Sequence, residues 1–345
     1  MLGTPWEVSP SPPAPSPSPS SAPTPPPLPS SSARQPLVLV SKADMRAWSR
    51  ARRAEGKRVG FVPTMGSLHA GHLSLVEAAR RARCDAVVVS IYVNPTQFAA
   101  GEDFDVYPRD AEGDLAACAA ANVDAVWMPR DLYDYGQGGD DCGAVTPGSD
   151  DPVAHETTVS VARLSRGLCA RCRPHHFDGV STVVAKLFNV VEPDVAVLGK
   201  KDYQQLCVVR RMVRDLDMAI EVLGGEHVRD ADGLALSSRN ARLSADDRRR
   251  AACIPTALFA ARDSYAGGRG ETSAATLCGT VEAAIRAGGG EVDYVLLCHP
   301  AHLTEMDAVD AADGGVIAVA ATFGGVRLLD NVELAPAAGS PGGAE

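Results

Sequence analysis

The run Ala86-Val87-Val88-Val89-Ser90-Ile91 is almost wholly small or β-branched and apolar, with Ser90 as its single polar residue. A strand made from it is apolar on both faces, the pattern of a parallel sheet covered by helices on either side. Its neighbours repeat the theme. Leu37 to Val40 is apolar, and Ser41 with Asp44 forms a capping box for a helix reaching Gly56. Arg58-Val59-Gly60-Phe61-Val62 is another short strand, after which Leu73, Leu75, Val76, Ala78 and Ala79 recur at helical spacing. Further on, the pattern predicts a helix from Asp110 to Ala121, a strand from Asp124 to Met128, and a long irregular loop through Asp151. A helix at Val180 to Val190, a strand at Val195 to Leu198, a helix at Tyr203 to Leu216 and a strand at Ala219 to Leu223 follow. Such alternation implies an α/β fold, a Rossmann-like doubly wound parallel sheet with its ligand outside the carboxyl ends of the strands.

Beyond Val228 the texture changes. Helices are expected at Ala245 to Ala266 and Ser273 to Ala287, with short strands at Tyr294 to Leu297, Val316 to Ala320 and Val326 to Leu329. The chain therefore divides into a sheet domain, 36–227, and a smaller C-terminal α+β domain, 228–334. Residues 1–35 and 335–345 lie outside both. From Ser9 to Ala33 the sequence is almost entirely Pro, Ser, Ala and Thr, which cannot build a core and reads as disordered. The first 35 residues have no apolar signal core and carry only one arginine, Arg34, unlike a mitochondrial presequence. A cytoplasmic enzyme with an untargeted tail is expected, a plastid transit peptide being the alternative.

Composition limits the functions open to the chain. A formal charge of −10 disfavours nonspecific nucleic-acid binding, so an anionic substrate must be caught by a local cationic pocket. No uninterrupted apolar run approaches the roughly 20 residues of a membrane helix. Nine cysteines without a disulfide-scaffold pattern suit a reducing compartment.

The chemistry is concentrated in Pro63-Thr64-Met65-Gly66-Ser67-Leu68-His69-Ala70-Gly71-His72, the connection from a strand into a helix. Gly66 and Gly71 let the backbone approach a bulky anion, and the helix start directs its N–H groups and positive dipole end at that charge. His69 and His72, three residues apart, share one helical face and can hydrogen-bond phosphate oxygens. A surface turn with idle histidines is the alternative.

His-x-Gly-His resembles the ATP-binding signature of class I aminoacyl-tRNA synthetases and related nucleotidyltransferases. The full phrase resembles more narrowly the pantothenate synthetases, or pantoate-beta-alanine ligases. Four further blocks agree and fall in that family's order: Val93-Asn94-Pro95-Thr96-Gln97-Phe98, the stretch Arg173 to Phe188, Gly199-Lys200-Lys201-Asp202-Tyr203-Gln204-Gln205, and Asp232-Gly233-Leu234-Ala235-Leu236-Ser237-Ser238-Arg239-Asn240. The resemblance runs roughly from Pro36 to Leu334.

The resemblance implies ATP-dependent condensation of D-pantoate with β-alanine through a pantoyl adenylate, releasing AMP and pyrophosphate. ATP would lie along Met65, Gly66, Ser67, Leu68, His69, Ala70, Gly71 and His72, on Gly199, Lys200, Lys201 and Asp202, and beside Val228, Leu236, Ser237, Ser238 and Arg239. His72, His69 and Lys201 would be catalytic, with His72 as proton donor and Mg²⁺ bridging the outgoing phosphates. Gln97 and Gln205 would hold the pantoate hydroxyls and carboxylate, helped by Asn94 and His176, with Met65 and Phe98 as apolar walls. No protein-bound metal is implied, and the expected partners are these small molecules and a second copy in a homodimer, not nucleic acid or membrane. No residue is an obvious base for the amine of β-alanine, whose free pKa is roughly 10. The alternatives are another nucleotidyltransferase of the superfamily or an inactive scaffold homologue.

One block departs from the commoner bacterial pattern. Cys169-Ala170-Arg171-Cys172-Arg173-Pro174-His175-His176 places Cys-x-x-Cys beside two histidines, a spacing open to zinc, to a redox pair, or to two merely adjacent cysteines.

Overall fold

A computed structural model describes residues 34–99, 101–133 and 155–337. The expectations for residues 1–33, for most of the loop through Asp151 and for 338–345 lie outside the described residues. Six parallel strands make the first sheet: β1 (Leu37–Leu39), β2 (Val59–Thr64), β3 (Ala86–Ile91), β4 (Ala125–Trp127), β5 (Val195–Gly199) and β6 (Glu221–Gly225). Their order is β1-β4-β3-β2-β5-β6. From β2 the chain winds outward through β3 and β4, then returns to place β5 on the other side of β2. The switch point of the sheet therefore lies between β2 and β5, where a ligand crevice opens in doubly wound folds.

Helices α1 (Lys42–Ala54), α2 (Ala70–Arg81), α3 (Ala111–Ala120), α4 (His176–Val191) and α5 (Tyr203–Asp215) cover the sheet. Two of them start on a short polar side chain. Ser41 caps α1 by accepting from Asp44 N, and Asp110 caps α3 by accepting from Gly113 N. The central strands are buried as their composition requires, and Phe61 of β2 meets Phe188 of α4 edge to face at 6.1 Å. Helix α4 begins four residues before its predicted start. His175, in the left-handed region at φ 63°, turns the chain into it without a side-chain cap, so the sequence carried no start signal.

The C-terminal part folds as α6 (Ala245–Ala251), α7 (Cys253–Tyr265) and α8 (Ala274–Ala287) with an antiparallel sheet of β7 (Glu291–Cys298), β8 (Gly315–Phe323) and β9 (Val326–Leu334), ordered β7-β8-β9. Two expectations are corrected here. The single helix predicted from Ala245 to Ala266 is two helices joined at Ala252, with Pro255, which has no N–H to donate, in the first turn of the second. The strands are 8, 9 and 9 residues long rather than short. Asp330, just past the predicted end at Leu329, continues β9, where it is buried and takes a two-pronged ion pair from Arg229, at 2.7 and 2.8 Å. Asn331 ties this sheet to the first by donating to the carbonyls of Lys200 (2.9 Å) and Lys201 (3.0 Å). Among the described residues no helix is long and apolar enough to cross a membrane.

Candidate active site

A cavity of about 530 Å³ opens at the switch point. Its walls come from the ends of β2 and β5, the 3-10 turn Pro95–Gln97, the start of α4, the 3-10 turn Ser238–Arg242 and β9. Every predicted site residue lines it except Gly66, Ser67, Leu68, Ala70 and Lys200.

Four of the exceptions have structural work. Gly66 and Ser67 are both left-handed, at φ 84° and 52°, and reverse the chain after β2. The amides of Ser67 and Leu68 then donate to the buried Asp114 carboxylate of α3 at 2.9 and 2.6 Å. A Cβ on Gly66 would meet Asp114 Oδ2 at 2.9 Å, and one on Gly71 would meet the His69 ring at 2.9 Å. Both glycines thus make room for the protein's own side chains, and Gly71 also lines the cavity. Lys200 is held by Glu226 and Glu333, each at 2.6 Å, so its charge is already paired within the protein.

His69 is the N-cap of α2 and His72 its third residue, and the two rings cap the helix reciprocally. His69 Nδ1 accepts from Gly71 N at 3.2 Å, and His72 Nδ1 accepts from His69 N in a longer contact of 3.4 Å. An acceptor nitrogen carries no proton, so hydrogen-bond inference assigns both rings the Nε2–H tautomer. Burial, and next the Lys201 ammonium, lower the pKa of His69. Burial, and next His69, bring His72 down to about 3. Both are neutral at pH 7 and offer N–H hydrogen bonds. A full proton transfer from His72, which the family resemblance implied, is therefore not what this geometry prepares.

Lys201 follows β5 on the same wall, its ammonium only loosely paired with Asp202 at 3.5 Å. Across the cavity, Ser237 caps the second 3-10 turn through Arg239 N at 3.3 Å, and Ser238 Oγ donates to Ser67 O at 3.3 Å, docking this turn on the histidine loop. Arg239 meets Asp103 through two bonds, 2.9 and 3.1 Å, and Arg242 shares that carboxylate at 3.0 Å. Asp103, Glu102 and Asp114 were not singled out from sequence. In sequence they are ordinary loop and helix acids, and only the fold brings arginines or loop amides to them.

On the other side Asn94 and Gln97 are buried, with Asn94 Nδ2 donating to Gln97 Oε1 at 3.1 Å and Gln97 Nε2 donating to Met65 Sδ at 3.0 Å. Gln204 braces the loop before α4, donating to Leu164 O at 2.9 Å and accepting from Cys169 N at 3.0 Å. Gln205 beside it lines the cavity. The Cys-x-x-Cys block does not converge on one point: Cys169 is buried with Sγ 3.1 Å from the Tyr294 hydroxyl, Cys172 is exposed, and the exposed His175 faces Asp178 at 3.5 Å.

The profile of the pantoate-beta-alanine ligase family matches residues 37–333. The chain belongs to that family. A pantoate-beta-alanine ligase of Oryza sativa subsp. japonica is 49% identical over 314 residues, covering 88% of this chain and 98% of the relative. A pantothenate synthetase from Thermus thermophilus has a crystal structure 42% identical in sequence, with a TM-score of 0.74, covering 87% of this chain and all of that one. The crystal structure of pantoate-beta-alanine ligase from Francisella tularensis is a complex with beta-gamma ATP and beta-alanine, 28% identical with a TM-score of 0.65, covering 86% of this chain and 97% of that one.

Proposed function

We propose that this chain joins D-pantoate to β-alanine at the expense of ATP by way of a pantoyl adenylate, releasing pyrophosphate and then AMP. Ligation of pantoate with β-alanine is the activity that names its family, and the ATP and β-alanine of the Francisella complex support the same ligands here. The observation that carries the mechanism is the wall where the Nε2–H groups of His69 and His72 and the Lys201 ammonium face one cavity at the sheet's switch point.

A carboxylate is a poor acyl donor because it would have to expel oxide. Attack of the pantoate carboxylate on the α-phosphorus creates a better leaving group, AMP, and the protein's task is to align the reactants and stabilise the charge growing on phosphate oxygens. His69 and His72 donate hydrogen bonds to those oxygens, and Lys201 supplies a fixed positive charge. Ser237, Ser238 and Arg239 close on the phosphates, which requires Arg239 to exchange Asp103 for the nucleotide. Residues 228–334 act as the closing part. Gln97, Asn94 and Gln205 bind pantoate, and a buried amide left unpaired rejects analogues lacking a hydroxyl.

Mg²⁺ fits this site as a companion of the nucleotide. It is commonly held by substrate phosphates, waters and one or two carboxylates, and Asp202, half-exposed on the cavity wall, would be the carboxylate that helps to hold it. Its chemistry there would be to neutralise phosphate charge. A homodimer in the cytosol completes the reading, and plastid import of residues 1–35 fused to a reporter would overturn the location.

The test is isotope exchange. With pantoate present and β-alanine absent, labelled pyrophosphate should enter ATP. Exchange that occurs only with β-alanine present would rule out a free-standing adenylation step.

A further inference from the structure

The turn that carries Gln97 is only three residues long and has no side-chain cap of its own. It is held from outside by the start of α4. A Cβ on Gly179 would sit 2.3 Å from Thr96 O, so helix and turn are in direct contact, and Asn94 Nδ2 reaches the Gly179 carbonyl at 3.2 Å. The shortest of these bonds comes from His176, whose Nδ1 lies 2.7 Å from the Gln97 carbonyl.

The partners fix the state of that ring. A carbonyl can only accept, so Nδ1 carries the proton; Arg173 Nη1, which can only donate, lies 3.3 Å from Nε2, so Nε2 is bare. Arg173 is itself clamped by Glu102 through bonds of 2.8 and 2.5 Å, and its Nη2 also reaches the Gln97 carbonyl at 3.3 Å. Both members of this ion pair are mostly buried, 16% and 23% exposed. Both ring nitrogens of His176 are therefore spent inside the protein.

We infer that His176 is a positioning residue for Gln97 and not a substrate contact: held in one tautomer by Arg173 and Glu102, it fixes the Pro95–Gln97 turn so that the Gln97 amide is presented to pantoate. The inference rests on the reading of Gln97 as a pantoate ligand. A protonated ring would set its Nε2–H against Arg173, and burial, then Arg173, bring His176 down to about 4, so the neutral tautomer persists under working conditions. Small misplacement of a binding group is costly to rate and affinity, and that gives the chain a use for this three-residue support.

Two substitutions separate positioning from contact. His176→Asn retains an amide N–H near the place of Nδ1–H, whereas His176→Phe keeps the ring's bulk and loses both bonds. Steady-state kinetics should show the Phe variant with a pantoate KM raised about tenfold, the scale of one lost buried hydrogen bond, an unchanged ATP KM, and recovery of most of the loss in His176→Asn. Gln97→Ala, assayed in parallel, should raise the same KM. If Gln97→Ala leaves it unchanged, the reading of Gln97 falls and this inference with it. If Gln97→Ala raises it while His176→Phe does not, or if the Asn variant is no better than the Phe variant, the positioning role alone is overturned. In the unsubstituted protein, ¹⁵N histidine spectra at neutral pH should show His176 protonated on Nδ1, and an Nε2–H tautomer would contradict the inference whatever the variants do.

Discussion

His69 and His72 cap one another across the first turn of α2, with ring centroids 4.1 Å apart and each Nδ1 taken by a backbone amide. The same bonds that start the helix aim both Nε2–H groups away from it. Sequence order, helix capping and ligand chemistry are thus one arrangement, and a change at either ring can be designed to disturb only one part.

His72→Asn keeps an oxygen where Nδ1 accepts and removes the Nε2–H donor. Single-turnover adenylation should fall by about 10² or more, as loss of a transition-state donor does, while circular dichroism and thermal unfolding stay near those of the parent. Near-normal adenylation would remove His72 from the chemistry.

Acid should destabilise the fold before it titrates the carboxylates. His72 and His176 are pushed below the ordinary histidine value, to about 3 and about 4. Between those values and about 6.5 the unfolded chain binds more protons than the native one, so stability is complete above pH ~6.5 and declines as pH falls, by up to about 1.4 kcal/mol per pH unit for each ring. Thermal unfolding between pH 4 and 7 should show this, and His176→Asn should flatten the slope. A slope indifferent to that substitution would mean that His176 is not held neutral.

The two adjacent lysines should behave differently. Lys201 lines the cavity and Lys200 is tied to Glu226 and Glu333. Lys201→Ala is expected to lower the adenylation rate about 10²-fold, whereas Lys200→Ala should change it only a few-fold. Pre-steady-state measurement of pyrophosphate release distinguishes them, and equal losses would show that Lys200 also reaches the phosphates.

Much of this was legible beforehand, and the reasons are physical. The strand run at β3 and the helical spacing after the histidines are local patterns, and they placed the sheet and its ligand edge. The five ordered blocks named many of the residues that line the cavity. What sequence could not show is long-range pairing. Asp103 lies 136 residues from Arg239, Asp114 lies 47 from Ser67, and Arg173 lies 71 from Glu102. Residues that position the site meet their partners only in the fold. Lys200 and Lys201 likewise look alike in a motif, and only their neighbours separate them.

Asp114→Ala should cost stability at a distance from substrate. It strands the amides of Ser67 and Leu68, which both donate to this carboxylate. A buried donor left unpaired costs about 1–3 kcal/mol, and these two are part-buried, so a loss of at most roughly 2–6 kcal/mol is expected in denaturant titration, with faster hydrogen exchange at both amides. Unchanged exchange there would show that the clamp does not hold the loop.

The central claim is that the pantoate carboxylate attacks the α-phosphate of ATP. Turnover of pantoate labelled with ¹⁸O in its carboxylate, with β-alanine and MgATP, tests it most directly by mass spectrometry of the phosphorus products. The account predicts AMP carrying one ¹⁸O in its phosphate and unlabelled pyrophosphate; ¹⁸O in inorganic phosphate, with ADP as coproduct, would contradict it.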